Sequence, residues 1–143
     1  MGDIADSGCE SAPLILVVDD LMDNRQLTRQ GLDVDGWRLI EAESGPDALA
    51  LIERCRPDVV ILDIQMPGMD GFGVLKRLHE RIPPTARPHV IAATAMALKG
   101  DRDRCLAAGA DDYLARPYTF RELRRLVRAA LARMSAARSL QSR

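Results

Sequence analysis

Two short runs in this chain hold nothing but aliphatic side chains, Leu14-Ile-Leu-Val-Val18 and Val59-Val-Ile-Leu62. A strand with one wet face alternates apolar and polar residues, whereas a run without alternation suits a strand covered on both faces. Such strands demand a sheet with helices on either side. Each run also ends in acid: Asp19-Asp20 follows the first and Asp63 the second. In an open parallel sheet ligands bind beyond the carboxyl ends of the strands. If the two strands are neighbours, three carboxylates meet at one edge. Like charges that close repel one another, so a cation belongs among them, and a hard divalent metal held by oxygen suits the site best.

The rest of the chain alternates strand and helix patterns. A helix beginning near Asp23-Asn24 runs through Leu27 to about Leu32, and Trp37–Ala42 alternates as a second strand. Ser44 suits an N-cap and Pro46-Asp47 a first turn, followed by a helical stripe of Ala48, Leu49, Leu51, Ile52 and Cys55 that Pro57 stops. After the Val59–Ile64 strand, Pro67–Gly71 is turn chemistry leading into a helix with Val74, Leu75 and Leu78 on its apolar face. His79 and His89 flank a proline loop and are expected to be solvated. His89–Ala93 is a fourth strand, and the next helix passes through Arg102 and Cys105, with Gly109 just past its end. Asp112–Ala115 is a fifth strand. Thr119 with Glu122 three residues later forms a capping box, opening a last helix with apolar Leu123, Leu126, Val127, Ala130, Leu131 and Met134. Five strands alternating with five helices predict one α/β domain over 14–134. A disordered tail is expected over 1–13 and a polar tail over 135–143.

Composition narrows the function classes. At 143 residues the chain suits one domain, and a net charge of −1 gives no overall pull toward nucleic acid or an anionic membrane. Of 20 basic residues only Lys76 and Lys99 are lysines, and arginines crowd the last helix without interleaved aromatics. That pattern favours a solvated face or a dock for an acidic protein over a nucleic-acid site. Cys9, Cys55 and Cys105 lack metal-ligand spacing and suit reduced thiols. No run reaches membrane-spanning length, and the expected location is the cytoplasm.

The residues then resemble a family. Val17-Val-Asp-Asp20, Asp63 with Met66-Pro67-Gly68 and Asp70-Gly71, Thr94-Ala95, Tyr113 and Arg116-Pro117 resemble the response-regulator receiver domain of two-component signalling, over about 14–131. The stretch Thr94–Asp101 is also similar to stand-alone cell-cycle receivers of alphaproteobacteria. The resemblance implies a flavodoxin-like (βα)5 three-layer sandwich with a parallel sheet of order 2-1-3-4-5. It implies Asp63 as phosphoacceptor from a histidine kinase or histidine phosphotransfer protein. It implies Mg²⁺ (or Mn²⁺) held by Asp19, Asp20, Asp63 and the backbone carbonyl of Gln65. Thr94 and the basic residue at 116 would bind phosphoryl oxygens. Thr94 and Tyr113 would form a switch acting on a surface made by the fourth helix, fifth strand and fifth helix, where a downstream protein docks. Gln65 and Met96 lie where receivers tune the phosphoryl lifetime. A monomer or weak dimer is expected, acting on no separate substrate beyond its own phosphorylation and dephosphorylation.

One position departs from the family, which has lysine where this chain has Arg116. A guanidinium is a planar fork, not a point charge. It can still bind phosphate, or lock onto a resting carboxylate, which would make the chain a phosphorylation-independent binding module. A flavin- or nucleotide-binding reading is disfavoured, since Asp19–Asn24 lacks the glycines and hydroxyls that cradle phosphate.

Overall fold

The computed structural model describes residues 12–94 and 99–141, with side chains as far as 136. Five parallel strands form one sheet in the order β2-β1-β3-β4-β5: β1 Leu14–Val18, β2 Arg38–Ala42, β3 Val59–Asp63, β4 His89–Thr94 and β5 Asp112–Ala115. The helices are α1 Met22–Gly31, α2 Gly45–Cys55, α3 Gly71–Arg81, α4 Asp101–Ala107 and α5 Phe120–Gln141, with a short 3₁₀ turn at Pro84–Ala86. This is the flavodoxin-like three-layer sandwich expected from the resemblance.

The unalternating runs are the reason for the three layers. Successive side chains of a strand point to opposite faces. Leu16, Val18, Val60, Leu62, Val90 and Ala92 therefore pack on one side, under α2, α3 and Cys105 of α4. Ile15, Val17, Val59, Ile61, Ile91 and Ala93 pack on the other, against Leu32 and the Leu123, Val127 and Ala130 stripe of α5. Every residue of β1 and β3 is buried, including Asp63.

Local signals set the helix ends. The Ser44 hydroxyl accepts from the Asp47 N–H, Asp70 accepts from the Gly73 N–H, and Thr119 and Glu122 exchange the two bonds of a capping box. Gly71 opens α3 so close to the end of β3 that a Cβ there would lie 2.7 Å from the Ile64 Cα and 2.9 Å from the Asp63 carbonyl. Gly109 follows α4 at φ +115, where side chains are strained, and a Cβ would strike the His79 ring at 2.1 Å.

Leu27 is 55% exposed, and the covered residues of α1 are Arg25, Thr28 and Gly31. One expectation needs correcting. His89 is not solvated, because it starts β4 beside the start of β5, where its Nε2 lies 2.7 Å from Asp112 Oδ2. The α5 helix runs on through the residues expected as a polar tail, as far as Gln141. The expected tail over 1–13 falls, up to residue 11, outside the described residues, as do Ala95 and Met96.

Candidate functional site

Strand order brings the acids together. β1 and β3 are neighbours, in register Val18 to Leu62, so the chain leaves both strands at the same edge with Asp19 and Asp63 side by side. Oxygens of Asp19, Asp20 and Asp63 all lie within 4.8 Å of one another, the one grouping of metal-ligating side chains found among the described residues. Asp19 is 1% exposed and Asp63 4%, so the charges are poorly hydrated. Burial first, and the Asp19 carboxylate next, push the Asp63 carboxyl up to about 6, against the pull of the Gln65 N–H and the Arg116 guanidinium. Three carboxylates meeting at one point are a hard-oxygen donor set that suits Mg²⁺, which uses few carboxylates and keeps its waters.

The loop after β5 supplies a cation from the facing side. Arg116 Nη2 donates to Asp19 Oδ2 at 2.6 Å, and its Nη1 lies 3.9 Å from Asp63 Oδ1. The strand pairing explains the reach: the Arg116 N–H donates to the Thr94 carbonyl at 2.8 Å, anchoring the loop next to the end of β4. Burial alone would ease the proton off Arg116, but the Asp19 carboxylate holds the guanidinium charged. Asp19 is thus bonded at both oxygens, since its Oδ1 accepts the Leu21 N–H at 3.0 Å. Asp63 Oδ1 accepts the Gln65 N–H at 3.1 Å.

Thr94 and Tyr113 share one face of the sheet. Thr94 ends β4 and is 3% exposed, and Tyr113 pairs with Ala92, two residues earlier on β4. The Tyr113 ring packs into the core beneath α4 and its buried hydroxyl has no hydrogen-bond partner. Burial, then Asp101 and Cys105, push that phenol up. Beside them Thr94, Gln65, Met66, Phe72, Arg104 and Cys105 help to line a cavity of about 500 Å³ between the loop after β3 and α4.

Two contacts at the site were not foreseen from sequence. Arg25, on the inner side of α1, donates from Nη1 to the Asp19 carbonyl at 2.8 Å. The Thr28 and Tyr118 hydroxyls lie 2.9 Å apart, tying α1 to the loop that holds Arg116. Arg25 and Thr28 stand three apart, the spacing of a helix face, but two polar residues there gave no reason to expect burial. The arginines of α5 are partly structural. Arg124 donates to the Gly31 carbonyl at 2.6 Å and Arg128 lies over the Trp37 ring at 5.6 Å.

The response regulator receiver domain family matches residues 15–128. The chain belongs to that family. It is similar to the response regulator PleD of Caulobacter vibrioides, 42% identical over 103 residues, which is 72% of this chain and 22% of that protein. It is also similar to the probable transcriptional regulator ycf27 of Guillardia theta, at 36% over 132 residues, 92% of this chain and 50% of that one. The chain therefore spans from about a fifth to half the length of these relatives. Among solved structures, the receiver domain of the Francisella response regulator 1452 superposes with TM-score 0.77 at 30% identity, covering 85% of this chain and 98% of that one. A receiver domain protein from Methanospirillum hungatei gives 0.79 at 28%, covering 89% and 99%. This chain is thus a receiver unit of two-component signalling, with an acidic cluster compatible with Mg²⁺. No described helix is long and apolar enough to cross a membrane.

Proposed function

We propose that Asp63 accepts a phosphoryl group from a phosphohistidine donor and that the altered surface is then read by a protein target. The observation that carries this reading is the convergence of Asp19, Asp20 and Asp63 within 4.8 Å, at the mouth of the sheet and opposite Arg116. An Asp63 oxygen attacks phosphorus, the P–N bond breaks with its electron pair passing to the imidazole nitrogen, and an acyl phosphate results. Asp19, Asp20, Asp63 and the Gln65 carbonyl would hold Mg²⁺, whose charge, when bound, offsets the charge on the phosphoryl oxygens. The Thr94 hydroxyl and the Arg116 guanidinium would, on this reading, bind two of those oxygens. On this reading the chain acts on no separate substrate and catalyses only its own phosphorylation and dephosphorylation.

A histidine kinase or phosphotransfer protein must reach this mouth. Beside it Leu21, Met22 and Leu27 are 55, 61 and 55% exposed. With Pro117, Tyr118 and Phe120 bordering a groove shared with Leu27, they offer an apolar landing surface for a donor. Thr94 and Tyr113 would carry the phosphorylated state to the α4-β5-α5 surface, where the target docks. Phosphorylation is tested with Mg²⁺ and acetyl phosphate or beryllofluoride. The wild type should change its amide spectrum and Asp63→Asn should not; identical behaviour of the two would sink the proposal.

One contact favours a second reading. The guanidinium resting on Asp19 already places a cation at the acidic cluster, as a phosphorylation-independent binding module would require. Arg116→Lys should then gain phosphoryl uptake that the wild type lacks. Equal uptake by both disposes of this alternative.

A further inference from the structure

Arg25 is the one buried cationic side chain among the described residues, at 8% exposure, and no step above uses it. Its placement is specific. It sits one turn into α1 and reaches back to the point where the chain leaves β1. Nη1 donates to the Asp19 carbonyl at 2.8 Å, while Nε donates to Glu41 Oε1 at 3.0 Å on the neighbouring strand β2. Arg29 bonds the other oxygen of the same carboxylate. Burial pushes the Glu41 carboxyl up, but the bonds from Arg29 and Arg25 outweigh it and hold the group below its ordinary value, so Glu41 stays charged.

The Asp19 peptide is consequently fixed from both sides. Its N–H donates to the Ala42 carbonyl at 3.1 Å, and its carbonyl accepts from Arg25. A carbonyl at that corner fixes the plane of the Asp19–Asp20 peptide bond, and through it the direction of two carboxylates. A guanidinium fork suits the task because it bonds the sheet and the corner simultaneously.

We infer that Arg25 is a positioning residue for the acidic site: the Glu41–Arg25 pair aims Asp19 and Asp20 so that they can share a divalent cation with Asp63. This rests on the proposed metal-dependent function. Charge and geometry act in opposite directions here. By Coulomb's law a guanidinium near the cluster opposes a second cation, so its removal on charge grounds alone tightens metal binding. If Arg25 acts by positioning, removal loosens metal binding, as loss of a residue that orients a metal ligand does.

The experiment measures Mg²⁺ binding by calorimetry for wild type, Arg25→Lys and Arg25→Gln, with thermal melts as the check on folding. Lysine keeps the charge but not the fork. Arg25→Gln should bind Mg²⁺ about tenfold more weakly or worse, and Arg25→Lys should also be weakened, by a smaller factor. In metal-free protein the Leu21 amide, bonded to Asp19 Oδ1, should exchange faster in both variants, while the Ile82 amide, bonded to the Leu78 carbonyl, is unmoved. Unchanged or tighter Mg²⁺ binding in folded Arg25→Lys overturns the inference, even if Arg25→Gln fails to fold. A lowered melting temperature with an unchanged Mg²⁺ affinity in Arg25→Lys also overturns it, since it leaves Arg25 a purely structural role. Should the wild type bind no Mg²⁺, the functional proposal falls instead, and Leu21 exchange still decides whether Arg25 holds the corner.

Discussion

The Arg116 guanidinium rests on Asp19 and not on Asp63: its Nη2 is 2.6 Å from Asp19 Oδ2, and its Nη1 is 3.9 Å from Asp63 Oδ1. Of the two acids it could neutralise, it takes the proposed metal holder and leaves the proposed nucleophile crowded by carboxylates. A divalent ion that uses Asp19 must compete with this contact. Arg116→Lys replaces the fork with a compact, well-hydrated ammonium. We expect the half-saturating Mg²⁺ concentration to fall by several-fold, on the scale of one charge-assisted hydrogen bond lost from the resting state. A calorimetric titration that gives equal affinities for both proteins contradicts this.

Asp63 provides a pH signature. Its carboxyl is raised from an ordinary 3.8 to about 6. The protonated form is therefore favoured by the fold. Its contribution to stability is fully present below pH 4 and is lost as pH rises through about 6. Asp63→Asn has no such loss. In EDTA at pH 7 it should be more stable than wild type by about 2–3 kcal/mol, and the gap should close by pH 4. Urea melts across this range measure it, and a gap independent of pH would rule the explanation out.

The Tyr113 hydroxyl is buried without a partner. An unsatisfied buried polar group costs about 1–3 kcal/mol. Tyr113→Phe removes the hydroxyl and keeps the ring in its packing. It should therefore leave the melting temperature unchanged or raise it. A loss above about 1 kcal/mol would mean that the hydroxyl is satisfied in solution.

Gly109→Ala should be strongly destabilising for two separable reasons, the positive φ and the collision with the His79 ring. We expect a loss of about 2 kcal/mol or more. Adding His79→Ala should relieve the collision but not the backbone strain, so the double variant recovers part of the loss. Full recovery or none would show that only one of the two terms operates.

The parts of the molecule legible in sequence were those written locally. Unalternating runs gave the buried strands, Ser44 and Thr119 gave helix starts, and Gly109 gave an end. Two acids closing one run and one closing another gave the cluster, because strand order alone makes those ends adjacent. What was missed depends on reach across the chain. Arg25 and Thr28 occupy the covered face of α1 because their polar atoms find partners on the Asp19 carbonyl, Glu41 and Tyr118. Neither those partners nor the choice of Asp19 over Asp63 by Arg116 has any sequence spacing that would betray it. They follow from where a long side chain ends after the sheet has assembled.

The Thr28–Tyr118 hydroxyl bond has a consequence for how such a unit can diverge. The helix that would greet a donor through Leu21, Met22 and Leu27 is the same helix that grips the acidic corner through Arg25 and the arginine-bearing loop through Thr28. If the proposed function holds, partner choice and phosphoryl chemistry would be mechanically joined on one ten-residue rod. A substitution that redirects the chain to a new donor would then also retune its transfer rate, coupling the evolution of the two traits.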